Sequence, residues 1–448
     1  MSEASSASAP VRPHARERSD GAQAPRTVAA LIAHRDWVAL AGVAAFVGLM
    51  TVGYYYNLTF VQLGLKDLGE RVLGLDAARV AGAMALLAVV TCVVAVAFGL
   101  ALARAPWGTR LVAKVRIAFG VVAVQTALTL VAPHLRSEAE LWAWIAVTAV
   151  ALGVGVPATF GMTVDLVPVA DRGWVAALIT GFAYLAANLW PEAWTIDVFA
   201  RQMALVMPGG VVLLGGFAFA RPGWLAALAR QHRDPAFGRG RFVRLDGEGR
   251  PRRDATFVML VVLMFLIFFV DSLGFLRLID TPELVAGSWR SADVAPRAAI
   301  GVVHLVAALI GGVLYRAFPA RHLFFWVFGI FALVHFSYGL VDVEPGRVDA
   351  TLGVPILYAV AVSLYTVVNF AVWADLSTPR SVPVNAALGV ALSGWSATFL
   401  STGLAIGMQD RGVALADHLR WVDAIALACF TAMLLLLVFG AGERRSRS

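Results

Sequence analysis

The side chains of this chain that could do chemistry are ionisable and amide groups inside long apolar stretches. Asp271 is the most unusual of them, because it directly follows the apolar run FVMLVVLMFLIFFV. A carboxylate in such a place is costly unless it meets water, a cation or a proton. Two interpretations stay open: Asp271 accepts a proton or cation inside a wet cavity, or it is a charge at the helix end that touches the outer headgroups or pairs with Arg277.

Six further polar residues stand within apolar stretches. They are Asn57, Gln125, Asn188, His304, His335 and Asn369. Each one alone fits an interhelical hydrogen bond. Together they predict a sparsely polar cavity, which favours a neutral or amphiphilic organic solute over a phosphate or a dicarboxylate.

The elements that position these side chains are membrane-spanning helices. The 448 residues are 60% hydrophobic and 15% charged, whereas soluble domains carry roughly 25% charged residues. About 20 consecutive apolar residues span a bilayer as a helix. Twelve stretches qualify, at 37–63, 80–103, 111–133, 141–165, 174–191, 202–220, 255–276, 297–316, 322–341, 351–375, 384–407 and 422–440. The sequence therefore predicts an all-α membrane protein.

The distribution of basic residues predicts the orientation and the domains. Most of the 36 Lys and Arg residues fall in the tails and loops of one side, which is the cytoplasmic side of an inner membrane. The predicted order is a disordered cytoplasmic tail (1–36), a six-helix bundle (37–220), a cytoplasmic linker (221–254), a second six-helix bundle (255–440) and a cytoplasmic tail (441–448). Both termini are then cytoplasmic.

Several function classes find no support in the sequence. The net charge of +7 comes from residues between apolar runs, so it indicates orientation in lipid and not a nucleic-acid surface. Cys92 and Cys429 are isolated, which leaves no thiolate metal site. Motifs for ATP binding, zinc proteolysis or a serine nucleophile are absent. We expect no enzyme activity, no cofactor and no metal.

Internal repeats relate the two halves of the chain. Residues 165–178 read DLVPVADRGWVAAL and residues 375–388 read DLSTPRSVPVNAAL, so that Asp165 corresponds to Asp375. RAPWGTRL at 104–111 and RAFPARHL at 316–323 form a second pair. Parallel repeats of this kind build transporters around a central site. The two bundles are therefore predicted to be pseudo-symmetric.

From residue 37 to about 440 the chain resembles the major facilitator superfamily. The resemblance rests on the six-plus-six repeat and on the segment with Asp165, Pro168, Arg172 and Gly173. The family motif after the second helix is matched loosely by Gly99, Arg104, Gly108 and Arg110, but its aspartate is missing.

The resemblance implies alternating access, in which charge clusters on the inner side hold the outward-facing state. Carried onto this chain, Asp165 would lie near Arg104 or Arg110, and Asp375 near Arg316 or Arg321. Arg172 and Arg380 would belong to the same gates. The other interpretation is that all of these are ordinary interfacial charges, whose exposed pairs contribute about 0–1 kcal/mol.

Without an ATP site, we expect a secondary transporter or facilitator for a small solute, with H⁺ or Na⁺ as the coupling ion and membrane lipid as its surroundings. The alternative is a non-transporting assembly factor or receptor on the same fold, because a fold does not fix a function. A cavity with polar lining would favour transport, and a collapsed apolar core would favour the alternative.

Overall fold

The computed structural model describes residues 27–220, 222–243, 255–280, 289–338 and 353–445. Within these residues the chain forms twelve long helices and no β-strand, which confirms the predicted fold class. In chain order they are α1 (Trp37–Val72), α2 (Ala77–Arg104), α3 (Leu111–Val131), α4 (Glu138–Gly161), α5 (Arg172–Leu189), α6 (Ile196–Gly215), α7 (Ala255–Ile279), α8 (Val294–Ala317), α9 (Ala320–Tyr338), α10 (Gly353–Asp375), α11 (Val382–Asp410) and α12 (Leu415–Arg445).

Nine helices in the described ranges are long and apolar enough to cross a bilayer. The remaining three of the twelve, α5, α9 and α12, coincide with the predicted spans 174–191, 322–341 and 422–440. Their place among nine apolar neighbours makes the chain a multi-pass membrane protein.

The predicted tail 1–36 needs one correction. Residues 1–26 lie outside the described residues, but Val28–Ala33 is a helix rather than disordered chain. Thr27 caps it by accepting a hydrogen bond from the backbone N–H of Ala30. Its first backbone N–H, on Val28, donates to Asp171 in the α4–α5 loop at 2.6 Å. The final tail residues, 446–448, also lie outside the described residues.

Local sequence explains where several helices begin. Asp36 caps α1 and Asp76 caps α2, so that side-chain oxygens satisfy backbone N–H groups that have no partner within the helix. Ser137 and Glu140 form a capping box at the start of α4. Gly74, with φ of +62°, makes the tight turn from α1 into α2.

Small residues let helices of the first six pack tightly on helices of the last six. α5 lies along α8, and α2 lies along α11. A Cβ atom on Gly173 would come within 2.8 Å of Tyr315, and one on Gly99 within 2.8 Å of the Pro383 backbone. Glycine at these positions therefore permits the close backbone approach that holds membrane helices together.

Two helices widen into π-helical winding. The stretches are Asn57–Gly64 within α1 and Ala387–Ser396 within α11. Ser393 and Ser396 reinforce the second stretch, because their hydroxyls donate to the carbonyls of Leu388 and Ala391, five residues earlier. π-Helical turns often mark functional positions.

We call inner the face that carries the loops α2–α3, α4–α5, α6–α7, α8–α9 and α10–α11, and outer the opposite face.

In a protein without Cys92 and Cys429, a cysteine replacing Arg290 should react with an impermeant maleimide added outside cells. A cysteine replacing Arg239 should react only after permeabilisation. Both arginines are exposed, so cysteines at these positions are accessible to the reagent. The neighbouring Gly240 is not suitable for labelling, because a Cβ there would lie 2.4 Å from the Asp375 carbonyl. Labelling of both cysteines from outside would refute the predicted orientation, in which they lie on opposite sides.

Candidate functional site

Two adjoining cavities lie between α1, α5, α7, α8, α10 and α11. The space not occupied by atoms within them is about 440 and 530 Å³ when the open solvent at their mouths is included. Five residues line both: Leu58, Gln62, Tyr184, Asp271 and Ser272. Because helices of both halves contribute, the cavities lie at the junction of the first six and last six helices. The π-helical stretches of α1 and α11 both contribute to the lining.

The wall around these residues is largely aromatic. The ring-bearing residues of the two cavities, apart from His304, are Tyr54, Tyr184, Trp194, Phe268, Phe275, Trp289, Tyr358, Tyr365, Phe370 and Trp395. Several are fixed by edge-on packing, with ring centroids 5.0 Å apart for Tyr54 and Phe370 and 4.9 Å apart for Phe268 and Tyr365. The hydroxyls of Tyr54 and Tyr184 share a hydrogen bond of 2.7 Å. The wall is therefore held by its own contacts.

Asp271 is only 7% exposed and faces this cavity. Its carboxylate accepts a hydrogen bond from the Tyr365 hydroxyl at 2.7 Å, and the Tyr358 hydroxyl is a second partner. Neither group carries a positive charge at neutral pH. No lysine or arginine occurs among the described residues that line the two cavities.

The pairing of Asp271 with Arg277, one of the two interpretations of the sequence, is not found in the structure, and Asn57 is not a partner of Asp271 either. Asn57 is turned back onto its own helix, where its amide donates to the Gly53 carbonyl at 2.8 Å. Arg277 donates to the carbonyl of Val413 at 2.9 Å, in the loop between α11 and α12. Six residues, or about 1.7 turns, separate Arg277 from Asp271 along α7, which directs the two side chains to different neighbours.

His304 lines the second cavity and is held on both ring nitrogens. Trp289 donates its indole N–H to Nε2 at 3.3 Å, and Nδ1 lies 2.9 Å from the Ser363 hydroxyl. An indole can only donate, so Nε2 must carry the lone pair and the imidazole is neutral. The ring also stacks on Tyr184, with centroids 4.4 Å apart. His304 therefore adds polarity to the cavity without adding charge.

The other predicted polar residues divide into two groups. Asn188 and Asn369 line the cavities, and Asn369 also accepts the indole N–H of Trp373 at 2.8 Å. Gln125 is buried in α3 and His335 in α9, where its ring lies 3.0 Å from the Phe331 carbonyl. Neither is among the residues lining the two cavities.

Sequence reasoning missed Gln62 and the tyrosines of the wall. Gln62 donates to the Thr402 hydroxyl of α11 at 3.1 Å, which ties the two halves together beside the cavity. The run of three tyrosines at 54–56, inside the first apolar stretch, was a readable signal. Tyrosine is scored as hydrophobic when apolar spans are identified, so its hydroxyl does not stand out among them as a polar group.

Asp165 on the inner face does not pair with Arg104 or Arg110, which are both exposed. Its cationic partner is Lys114 of α3, whose ammonium lies 2.7 Å from one carboxylate oxygen and also donates to the Gly161 carbonyl at 2.8 Å. The other carboxylate oxygen lies 3.1 Å from Nδ1 of His232, in the chain between α6 and α7. Lys114 is 1% exposed and Asp165 is fully buried. A buried carboxylate without a partner would be an uncompensated charge, so the fully buried Asp165 requires a cation at the same depth.

Asp375 likewise does not pair with Arg316. The side chain of Arg316 is exposed, and its backbone carbonyl is the group that accepts a hydrogen bond. Arg172 of α5 donates to it at 2.8 Å, and Tyr315 of α8 donates at 2.7 Å. Arg380 is exposed, and the side chain of Arg321 lies outside the described residues. The Arg172–Asp375 pair is fully buried and joins the two halves.

The residues Ala236–Phe242, called here the bridging segment, cover this pair. At one end, the carbonyl of Ala236 accepts the Val169 N–H at 2.7 Å, and the carbonyl of Phe237 accepts from Arg172. At the other end, the Gly240 N–H donates to the backbone carbonyl of Ser377 at 2.9 Å, and the Phe242 N–H donates to the backbone carbonyl of Asp375 at 2.7 Å. The segment is therefore bonded to both halves.

Contacts on the outer face also cross the junction. Lys66 at the end of α1 pairs with Asp280 after α7, and Arg297 of α8 donates to the Pro191 carbonyl at 2.7 Å. Bonds between the halves therefore lie on both sides of the cavities.

Lys66→Gln should loosen the outer face. The Lys66–Asp280 pair is partly exposed, 15% and 14% for the two side chains, so its loss is worth about 1 kcal/mol, or roughly a fivefold change in population. A cysteine replacing the cavity residue Ser272 should then react about fivefold faster with an impermeant reagent on the outer side. Arg79→Gln is the matched control, because Arg79 pairs with Glu138 within the first six helices. Equal acceleration in both variants would refute a role in closure.

Comparison with known proteins gives structural relatives only. No family model matches the sequence, and no curated protein matches it. The human organic anion transporter MFSD10 is similar over 88% of this chain and 99% of its own, at 14% identity and a TM-score of 0.57. The proton:xylose symporter XylE, of the major facilitator superfamily, is similar over 89% and 95%, at 11% identity and 0.59. A bacterial homologue of the iron transporter ferroportin, in an outward-facing state, is similar over 89% and 98%, at 14% identity and 0.55.

Proposed function

We propose that this chain, which has the fold of the major facilitator superfamily, is a secondary transporter that moves a small organic solute across the cytoplasmic membrane by alternating access. One observation carries the proposal: a cavity lined by Asp271 lies at the junction of the two halves, with bonds between the halves on both of its sides. A membrane-buried carboxylate in a cavity is typical of a transport pathway.

The moving parts in this proposal are the bundles 37–220 and 255–440, joined by the linker 221–254. Opening inward would break the Arg172–Asp375 pair and release the bridging segment, whereas opening outward would break the Lys66–Asp280 pair. The Lys114–Asp165 pair joins α3 to the end of α4, so it would stay intact in both states. It would then act as a brace within the first bundle rather than as a gate.

Asp271 is the proposed coupling residue. Its described partners are tyrosine hydroxyls, and a carboxylate without a cationic partner is free to exchange a proton or Na⁺ with the cavity. Arg277, the nearest arginine along α7, is engaged with Val413 instead of neutralising it. H⁺ is the first choice, because the described lining offers Asp271 no second carboxylate that would help to ligate a metal cation.

The alternative function, an assembly factor or receptor on the same scaffold, would be favoured by a collapsed apolar core. The described cavities instead contain Gln62, Asn188, Asn369 and Asp271. Three structural relatives named for an organic anion, xylose and iron share this fold, so the cargo has to be inferred from the lining of this chain's own cavity.

The test begins with a thermal-shift screen of the purified protein against metabolites and drugs, because a ligand of the native state raises apparent stability. Hits are then tested in proteoliposomes with an imposed pH gradient, an imposed Na⁺ gradient or neither. Uptake that follows one gradient supports secondary transport, and uptake without either supports a facilitator. Binding without movement of any hit would favour the receptor alternative.

A further inference from the structure

We infer that the solute is a monovalent organic cation, such as a quaternary or protonated amine with an apolar body, held between Asp271 and the aromatic wall. The inference rests on the proposed transport function and names its cargo. It is more specific than the expectation from the sequence alone, which is a cavity that favours a neutral or amphiphilic solute.

Charge is the first argument. Asp271 is the only carboxylate among the described lining residues, and these residues include no lysine or arginine. His304 adds no positive charge, since its Nε2 accepts from the indole of Trp289. The described lining can therefore carry a net negative charge but not a positive one. A bound cation would neutralise Asp271, whereas a bound anion would add a second negative charge in a poorly solvated place.

The aromatic wall is the second, independent argument. Rings of Tyr54, Phe370 and Trp395 pack around one end of the first cavity, with centroids 5.0 Å apart for Tyr54 and Phe370 and 5.9 Å apart for Tyr54 and Trp395. Phe268 and Tyr365 stand beside Asp271. Ring faces attract cations, and clusters of aromatic rings are a common way to hold a quaternary ammonium group. A sugar would instead require many hydrogen-bonding groups, which an aromatic wall offers sparingly.

Protons should compete with this cation, because both would occupy the same carboxylate. The titratable and charged groups that face or flank Asp271 are Tyr54 of α1, Tyr184 of α5, Arg277 of α7, His304 of α8, Tyr358 and Tyr365 of α10, and His418 of α12. The tyrosines stay neutral in the working range of pH. Weaker cation binding at low pH is therefore expected to report the protonation of Asp271.

The experiment compares two probes of one shape. Benzyltrimethylammonium is a cation, and neopentylbenzene is its neutral carbon isostere. Binding to the full-length protein in nanodiscs is followed by tryptophan fluorescence, since Trp194, Trp289 and Trp395 line the cavities. We expect the cation to bind at least about tenfold more tightly than its isostere, and to weaken as the pH falls. Equal affinity for the two probes would overturn the inference.

Variants locate the effect. Asp271→Asn should weaken the cation about tenfold and leave the neutral isostere unchanged. Asp423→Asn is the matched control, since Asp423 lies on α12 and is not among the lining residues. Tyr365→Phe keeps the ring and removes the hydrogen bond to Asp271, so cation binding should persist with an altered pH dependence. If Asp271→Asn does not fold, Tyr365→Phe still tests whether Asp271 binds the cation. Cation affinity that does not vary with pH in either the wild type or Tyr365→Phe would exclude Asp271 as the binding site.

Failure of this inference and failure of the proposed function give different results. Cation binding that depends on Asp271, without transport in proteoliposomes, would support the ligand class and refute the transporter. Gradient-driven uptake of neutral solutes, with no preference for the cation, would support the transporter and refute the ligand class.

Discussion

Asp271→Asn will abolish pH-driven accumulation of the solute while solute exchange at saturating concentration continues. One pH unit is worth 1.36 kcal/mol per proton, which supports about tenfold accumulation for one-for-one coupling. Asparagine fills the same space as Asp271 but cannot exchange a proton, so the pH gradient would no longer drive accumulation of the solute. Exchange requires only that the loaded protein reorient, and this step needs no proton.

Counterflow and gradient-driven uptake, measured on the same proteoliposomes, separate the two activities. If the solute is a cation, the variant's KM for exchange should also rise about tenfold, whereas a neutral solute would leave KM unchanged. Asp423→Asn serves as control for a carboxylate on α12 outside the described cavity lining. Unchanged accumulation in Asp271→Asn would reduce Asp271 to a structural charge.

Arg172→Gln will shift the protein toward states that are open on the inner face. Asp375 would keep its negative charge in a fully buried place, with the half-buried Arg241 guanidinium 3.9 Å away as its remaining cation. Removing one partner of a buried pair costs up to about 3–5 kcal/mol. Opening relieves that cost, because water then reaches the carboxylate. A change of about 3 kcal/mol alters a population ratio by more than about 100-fold.

Spin labels on cysteines replacing the exposed Arg104 and Arg316 would report the distance across the inner face. The single variant should lengthen this distance, and the double variant Arg172→Gln, Asp375→Asn should restore much of the wild-type value because no buried charge is left unpaired. Arg380→Gln is the control, because it changes an exposed arginine in the loop between α10 and α11, which follows Asp375. An unchanged distance in Arg172→Gln would show that the pair does not control closure.

The sequence predicts the fold well because lipid imposes a simple rule. A helix that crosses a bilayer must be long and apolar, so twelve apolar stretches were enough to predict twelve helices without knowledge of a single tertiary contact. The all-α class is confirmed for the described residues. The ends of helices follow from capping residues such as Ser137 and Asp76 in the same local way.

Partners of individual side chains could not be predicted by such a rule. The sequence repeat predicts that Asp165 and Asp375 are equivalent, yet Asp165 takes its cation, Lys114, from the first six helices, whereas Asp375 takes Arg172 from across the junction. The choice depends on which cation is buried beside each carboxylate once the helices have packed. Lys114 stands in the α3 sequence like any basic residue near a helix end, and only the fold shows that it is 1% exposed.

Asp271 presents the opposite case, since its unusual position was visible in the sequence and its surroundings were not. The structure places it in the cavity and gives it tyrosine partners from α10. These partners are 87 and 94 residues away along the chain, measured from Tyr358 and Tyr365 at their numbers in the sequence. No local pattern connects residues at such a separation.

The bridging segment has a consequence for how this chain can vary. A loop that only connects two domains tolerates insertions and substitutions. Ala236–Phe242, however, is bonded to Val169 and Arg172 on one side and to Ser377 and Asp375 on the other, and a side chain at Gly240 would collide with the Asp375 carbonyl. In evolutionary terms, we expect these seven residues to drift as slowly as a buried helix seam, although they lie in a stretch of chain that a hydropathy plot classes as a connector.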